Sequence, residues 1–494
     1  KDGLKYKPYN NDDFGFRLAF QLEENIEKDN IIVQNNLISN FVNISKFYRY
    51  INRIEYTHPD FPFKCHMSIV KNSKRSAQNI KRSGVLSNSL HYEIEIEFVN
   101  DDAIILTKDE LMKKLKMLIK YILCGLQDTR YPITFNEINN VKKDYIELFG
   151  IETSYDDMKP NDFIGYSSKT LKLSNIQEEA FENDINIRNN YTVTEKADGM
   201  RKLLYINSKG CIYMIDTQFN VQYSGMHTDV KDIYNSVLDG EHIKYDKNGN
   251  LINLFAAFDI YIFNKIDKRE ELFITTNKEG KKIGRLPLLE KIVKSVKMKP
   301  GENVKPGSFL LECKRFYTDE GSNIFKNCGI ILQREKDGLF KYNIDGLIFN
   351  PANKPIPINN KRITWEYSLK WKPPQYNTID FLIRTEKNNG KEIEKYTQGT
   401  NPYKTVHLYC GFGGGYIDPL NDVLNYNKKM YQTDYEKNKK KREINKYKPV
   451  LFVPTHPYDE NAYKCNIEMT YDSNGSLKLL TEENEIINDN TIVE

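Results

Sequence analysis

Among the 494 residues there is no Cys-x-x-Cys pair, no His-x-x-x-His and no internal repeat. There is also no run of about 18 apolar residues of the kind that spans a bilayer. The seven cysteines (Cys65, Cys124, Cys211, Cys313, Cys328, Cys410 and Cys465) are scattered and odd in number. That argues against a disulfide framework or a thiolate zinc module and predicts a reducing compartment. The seven histidines are equally dispersed. No signal peptide opens the chain, so the expectation is a soluble cytoplasmic protein with no membrane partner. The formal net charge is only +4, so global charge does not mark a nucleic-acid binder and any such role must rest on local clusters.

What is present suits several packed domains. Hydrophobic residues make up 39% of the chain and aromatics 12%, enough for real cores, and the length predicts about three domains. The first hundred residues read as β-rich. FGFRLAFQLEE alternates Phe16, Leu18, Phe20 and Leu22 against Arg17, Ala19, Gln21 and Glu23, the period of a strand with one buried face. FKCHMSIVKN and LHYEIEIEFVN behave similarly. Thr107 with Glu110 forms a capping box ahead of a helix striped by Leu111, Leu115, Leu118, Ile119 and Ile122. A second helix is predicted from Asn136 towards Gly150, and loss of periodicity over 151–175 predicts a boundary near 165. Strands dominate again from about 190 to 385, with a helical piece at LPLLEKIVKSV. Residues 386–494 form a third region of short strands, with a basic run at 436–448 that reads as a solvated loop or an RNA backbone contact. CGFGGG at 410–415 lacks the Lys-Ser/Thr of a phosphate loop and reads as a hairpin.

One stretch asks for a chemical explanation. TVTEKADGMRKLLYI sets Lys196, Asp198, Gly199 and Arg201 between β-prone residues. Later strings join it in order: VLDGEHI with Asp239, Gly240 and Glu241 at a strand end, FAAFDIYIFN with Phe258 and Asp259, YNIDGLIFNP with Asp345, and YSLKWKPP with Lys370 and Lys372 on one strand face. Each alone reads as an ordinary turn or a solvated edge. Their ordered combination resembles the covalent nucleotidyltransferase superfamily, the mRNA capping guanylyltransferases and the ATP- or NAD-dependent polynucleotide ligases. The resemblance implies that Lys196 is the nucleophile and forms a lysyl-N-phosphoryl nucleotide with release of pyrophosphate. It implies nucleotide contacts from Asp198, Gly199, Arg201, Glu241, Phe258, Lys370 and Lys372, and a divalent metal, Mg2+ or Mn2+, on Asp345. The chemistry is consistent. A lysine amine is protonated near neutrality, and neighbouring cations with partial burial favour the neutral form that can attack phosphorus.

Two details lean towards capping rather than ligation. LKWKPPQYNTIDFLI resembles the capping branch through Thr378–Phe381. In HYEIEIEF, Glu93, Glu95 and Glu97 project from one face, where repulsion requires a cation and a hard divalent ion is the natural partner. That string resembles the acidic strand of the triphosphate tunnel metalloenzymes, with Arg17, Lys64 and Lys71 as candidates for the phosphate-binding set. A tunnel triphosphatase fused to a guanylyltransferase resembles the capping enzymes of large cytoplasmic DNA viruses. The implied fold is α+β and multidomain: a partial tunnel β-barrel over 1–165, a nucleotidyltransferase domain of mixed sheets and helices over 166–385, and an OB-type β-barrel over 386–494. The first acidic strand of the tunnel family is not found before FGFRLAF, and the last motif of the nucleotidyltransferase family, an Arg-Asp-Lys string in the terminal domain, is absent. The resemblance therefore predicts that both outer domains continue beyond the given residues. The implied partners are GTP, the 5′ end of nascent RNA, a cap methyltransferase domain or subunit, and RNA polymerase. The alternatives are an ATP-dependent polynucleotide ligase and a catalytically inactive module that binds RNA ends.

Overall fold

The computed structural model describes residues 7–20, 26–99, 106–178, 185–301, 304–305, 307–318, 323–358, 361–374, 378–397, 401–412, 448–454, 458–471, 475–481 and 485–494. The chain forms two compact units, Lys1–Trp371 and Lys372–Glu494. Both mix strands with irregular segments, and among the described residues the helices belong to the first.

In the first unit, two sheets position the chemistry. The larger has eight strands. Its central path runs from Leu251–Phe263 through Ser236–Tyr245, Met200–Ile206 and Cys211–Asp216 to Val221–Thr228, all antiparallel neighbours, and Leu310–Cys313 adds in parallel beside Leu251–Phe263. The smaller, five-stranded sheet orders Tyr317–Thr318, Tyr191–Ala197, Ile344–Pro351, Ile363–Trp371 and Tyr166–Thr170. Their strands are rich in Ile, Leu, Val and Tyr, which pack well on a pleated surface. The alternation buries Leu204, Ile206, Leu238 and Ile260 with the Arg285–Ser295 helix, whose Leu289 and Ile292 close that core.

The helix at Phe135–Phe149 is capped by the Thr134 hydroxyl, which accepts from the Glu137 amide, and ends on left-handed Gly150. Its Val141, Tyr145 and Phe149 are buried against Leu203, Tyr213, Val221 and Tyr261 of the eight-stranded sheet. Side chains of that size are worth about 1.5–3 kcal/mol each when fully buried. This helix, expected upstream of a boundary near 165, thus shares a core with strands well downstream of it. The preceding helix, Lys108–Leu126, carries the expected Thr107–Glu110 capping box.

Upstream, Arg49–Thr57, Phe63–Asn72 and His91–Phe98 form a regular antiparallel sheet. The long strand expected across FGFRLAFQLEE is shorter: Phe16–Leu18 pairs with Tyr9–Asn11, and Leu18 and Phe20 are exposed. The three-residue partner offers no apolar face to bury the alternation. Residues 21–25 lie outside the described ones.

The second unit is built on a sheet ordered Lys448–Leu451, Tyr403–Phe412, Phe381–Thr385 and Ile492–Val493, with Lys464–Glu468 also on Tyr403–Phe412. Ile383 joins its core with Val406, Met469 and Leu479. Phe381–Thr385, expected to end the middle domain, therefore belongs to this sheet, because its apolar side chains are buried there. Gly413–Gly415 and almost all of the basic run at 436–448 lie outside the described residues.

Candidate functional site

Between the two sheets of the first unit lies a cavity of about 330 Å³ whose lining includes Lys196, Arg201, Glu241, Phe258, Lys314 and Lys370. Lys196 sits near the end of Tyr191–Ala197, where strand alternation turns Thr194 and Lys196 to the cavity and Glu195 away from it. Its Nζ donates to both carboxylate oxygens of Asp345, at 2.7 and 2.8 Å. Asp345 reaches that position through a bulge. The pairing of Ile344–Pro351 with the Lys196 strand shifts register between Ile344 and Leu347, and Gly346 takes φ 146°. An Asp-Gly pair expected before a strand is thus inside one, where a bulge re-aims the aspartate.

Arg201 and Glu241 are cross-strand partners. Arg201 donates to the Asp239 carboxylate, with Nε at 3.1 Å from Oδ1 and Nη2 at 2.5 Å from Oδ2, and to the Tyr261 hydroxyl at 3.2 Å. Burial opposes its charge, but Asp239 outweighs burial and pushes the guanidinium above its ordinary range. Asp239 and Gly240 stand mid-strand in Ser236–Tyr245 rather than at its end. Asp239 is fully buried as the arginine's counter-ion. Burial pushes the Glu241 carboxyl up to about 7, against the pull of Lys314 and Arg201.

Gly199 is held by space. A Cβ there would lie 2.7 Å from Glu241 Cγ and 3.1 Å from the His242 carbonyl. Asp198 is exposed, and its amide donates to the Asn343 carbonyl at 2.9 Å, so it ties the Lys196 strand to the segment leading into Asp345. Neither residue lines the cavity. Phe258 does, with the Arg201 guanidinium 5.7 Å and the Lys314 amine 5.8 Å from its ring centre. Lys370 lies in Ile363–Trp371 and reaches the cavity. Lys372 does not share that strand face, because the strand stops at Trp371 and Lys372 opens the second unit.

Lys314 escaped the sequence reading. It is buried and donates to the main-chain carbonyl of Glu195, immediately before the nucleophile candidate, while the Tyr342 hydroxyl donates to Glu195 Oε1 at 2.9 Å. The available signal was a lysine directly after the apolar strand Leu310–Cys313 and two residues ahead of Phe316. Arg362 and Asn350 also line the cavity, and nothing in their local sequence marks them.

A metal beside Lys196 would find the Asp345 carboxylate that holds the amine, with Glu241 as the carboxylate on the cavity wall itself. That suits Mg2+, which commonly takes one or two carboxylates and completes its shell with water and substrate phosphates. The acidic strand differs. Glu93 pairs with Arg49, Glu95 with Arg53, and Glu97 lies 3.8 Å from His66. Guanidinium groups thus meet the repulsion expected of the three carboxylates, and no group of three or more His, Cys, Asp or Glu suited to a metal occurs among the described residues. As arranged, this strand does not fit a metal ion. Lys64 shares the glutamate face and lies 3.2 Å from Glu55, whereas Lys71 projects from the opposite face, seven positions along an unbroken register. Arg17 belongs to the separate two-stranded sheet.

Residues 173–374 match the family described as mRNA capping enzyme, catalytic domain. A probable mRNA-capping enzyme of Acanthamoeba polyphaga mimivirus is 26% identical over 74% of this chain and 32% of its own length. The mRNA-capping enzyme of Danio rerio is 28% identical over 43% of this chain and 34% of its own. That of African swine fever virus (strain Badajoz 1971 Vero-adapted) is 28% identical over 39% of this chain and 18% of its own. The chain spans about a third of the length of the first two relatives. Among solved structures, the ATP-dependent DNA ligase from bacteriophage T7 in complex with ATP aligns at 14% identity with a TM-score of 0.26, covering 64% of this chain and 96% of that one. So slight a likeness carries no argument.

Proposed function

We propose, from the premise that residues 173–374 belong to the mRNA capping enzyme catalytic-domain family, that the Lys196 cavity is a guanylyltransferase centre. The observation that carries this reading is the Lys196 amine held against Asp345 at the wall of a cavity that also presents Arg201, Glu241, Phe258 and Lys370. A nucleoside triphosphate would place its purine on Phe258 and its ribose hydroxyls near Arg201 and Glu241. Lys370 would face the α-phosphate, where positive charge stabilises the charge that develops in the transition state. The Lys196 nitrogen, once free of its proton, bonds to the α-phosphorus. The bond to the bridging oxygen breaks and pyrophosphate leaves. A second transfer passes GMP to a 5′-diphosphate RNA end. A divalent ion held by Asp345 would add positive charge beside these phosphates.

Guanine is favoured over adenine by a local argument. Lys314 is a buried cation beside Phe258, and guanine offers a carbonyl acceptor where adenine offers an amino donor. The test is incubation of the full-length protein with α-labelled GTP or ATP and magnesium, followed by denaturation. Label from GTP that remains on the protein and vanishes in Lys196→Ala is expected. Label from ATP alone would make the protein a polynucleotide ligase, and no label from either would make it an inactive module that binds RNA ends.

The upstream sheet is proposed to serve an RNA 5′-triphosphatase. Its support is one face on which Glu93, Glu95 and Glu97 stand beside Arg49, Arg53, Lys64 and His66, a charged surface suited to a polyphosphate. Three domains, with an OB-type barrel in the second unit, a cap methyltransferase and RNA polymerase as partners, and a cytoplasmic location belong to the same reading.

A further inference from the structure

Strand alternation that turns Arg201 and Glu241 to the nucleotide cavity turns their neighbours Lys202 and His242 to the opposite side of the eight-stranded sheet. A second cavity of about 340 Å³ opens there, lined by Arg130, Tyr131, Tyr223, His242, Lys244 and Asn253 among others. Lys202 lies beneath it at 2% exposure. Its amine donates to the Gln222 side-chain carbonyl and, at 2.9 Å, to His242 Nδ1. His242 Nε2 lies 2.8 Å from Asn253 Oδ1, so the imidazole is neutral with its proton on Nε2. Burial, helped by Lys202, pushes that ring down to about 4.

The charges around this cavity do not balance. Asp128 is the carboxylate that lines it, and Lys244 occupies both its oxygens at 2.6 Å. Asp216, the cross-strand partner of Lys202, turns its oxygens to Asn220 and to the amide of Gln218. The Lys202 ammonium therefore touches only neutral groups, and Arg130 makes no ion pair among the described residues. A buried cation without a contacting anion is costly, and here burial pulls the amine down to about 8. The backbone adds a second mark. Asn253 takes φ 44° inside a strand, its side chain held by His242 and by the Ser308 carbonyl at 2.6 Å. Left-handed non-glycine residues of this kind concentrate at ligand sites.

We propose that this back-face cavity is a second binding site, for a phosphomonoester of mononucleotide size. Arg130, Lys244 and the underlying Lys202 supply the cationic field for the phosphate. Tyr131, packed on Gly225, and Tyr223, packed on Tyr213, line the cavity and give it the aromatic wall that a planar base would meet. The volume falls in the range of small-ligand pockets. The same chemistry is carried by free GMP and by the terminal nucleotide of an RNA.

Equilibrium dialysis of the full-length protein against GMP tests the site. About two equivalents should bind per chain in the wild type and about one in Arg130→Ala/Lys244→Ala, with the affinity for the lost equivalent falling at least tenfold, about 1.4 kcal/mol. Both residues are at least partly exposed, and labelling of Lys196 by GTP in this variant would show that its nucleotide cavity is intact. A stoichiometry of one in the wild type, or the same isotherm in both proteins, overturns the proposal. A 5′-phosphorylated oligoribonucleotide that displaces the second equivalent would assign the site to an RNA end, and failure to displace it would assign the site to free nucleotide.

Discussion

Lys196 and Asp345, 149 residues apart in sequence, form a two-pronged ion pair in which one amine meets both carboxylate oxygens. The pair is partly shielded, with the lysine side chain 24% and the aspartate 17% exposed. An amine so held is positioned but its lone pair is engaged as N–H, so the aspartate must serve the reaction in another way as well. If Asp345 also holds a divalent ion, Asp345→Asn should cut the initial rate of label transfer to Lys196 by roughly 100-fold or more. Faster labelling in the variant would mean that the ion pair only restrains the amine.

Asp239 is buried and is the counter-ion of Arg201, with the Tyr261 hydroxyl as a further donor. Removing one partner of a buried pair leaves the other uncompensated. Asp239→Asn should therefore cost about 3–5 kcal/mol, read as a lower midpoint in urea unfolding. A midpoint equal to wild type would show that Arg201 finds another partner.

The raised Glu241 carboxyl has a defined pH signature. Its folded pKa of about 7 lies above the ordinary 4.5, so between those values the folded chain binds more protons than the unfolded one. Stability must then fall as pH rises from about 4.5 to 7. The difference amounts to roughly 3 kcal/mol as an upper bound, since the group borders an open cavity. Glu241→Gln should flatten this part of a Tm-against-pH curve. Nucleotide binding that needs the ionised carboxylate should strengthen over the same interval in the wild type and lose that dependence in the variant.

Gly199→Ala would push a methyl group against Glu241 and the backbone of His242. Overpacking of this kind costs about 1–3 kcal/mol, and displacement of Glu241 should weaken nucleotide affinity, measured by titration calorimetry. Unchanged affinity and stability would show that the strand pair gives way without moving the glutamate.

Glu93→Gln/Glu95→Gln removes two partly exposed ion pairs. The stability cost should be small, below about 1 kcal/mol per pair, read as a urea midpoint close to that of the wild type. A larger loss would show that the two ion pairs hold this sheet together.

Much of the site could be read from local patterns. The strands that carry Lys196, Glu241, Phe258, Asp345 and Lys370 are apolar runs interrupted by single polar residues, and such interruptions are visible in one dimension. Local patterns failed where neighbours decided the outcome. Lys370 and Lys372 share the period of a strand face, but the strand stops between them. Lys64 and Lys71 look alike in sequence and project from opposite faces. The alternating apolar residues after Gly15 found no partner of sufficient length to bury them.

The sequence by itself determined which side chains can do the chemistry, because residue type, order and strand period are local properties. Tertiary structure alone decided their company: the bulge that carries Asp345 to Lys196, the buried Asp239 behind Arg201, and the insertion of Lys314 against the Glu195 carbonyl. Those contacts join segments 38 to 149 residues apart, and no periodicity within one segment encodes which distant strand will pack against it.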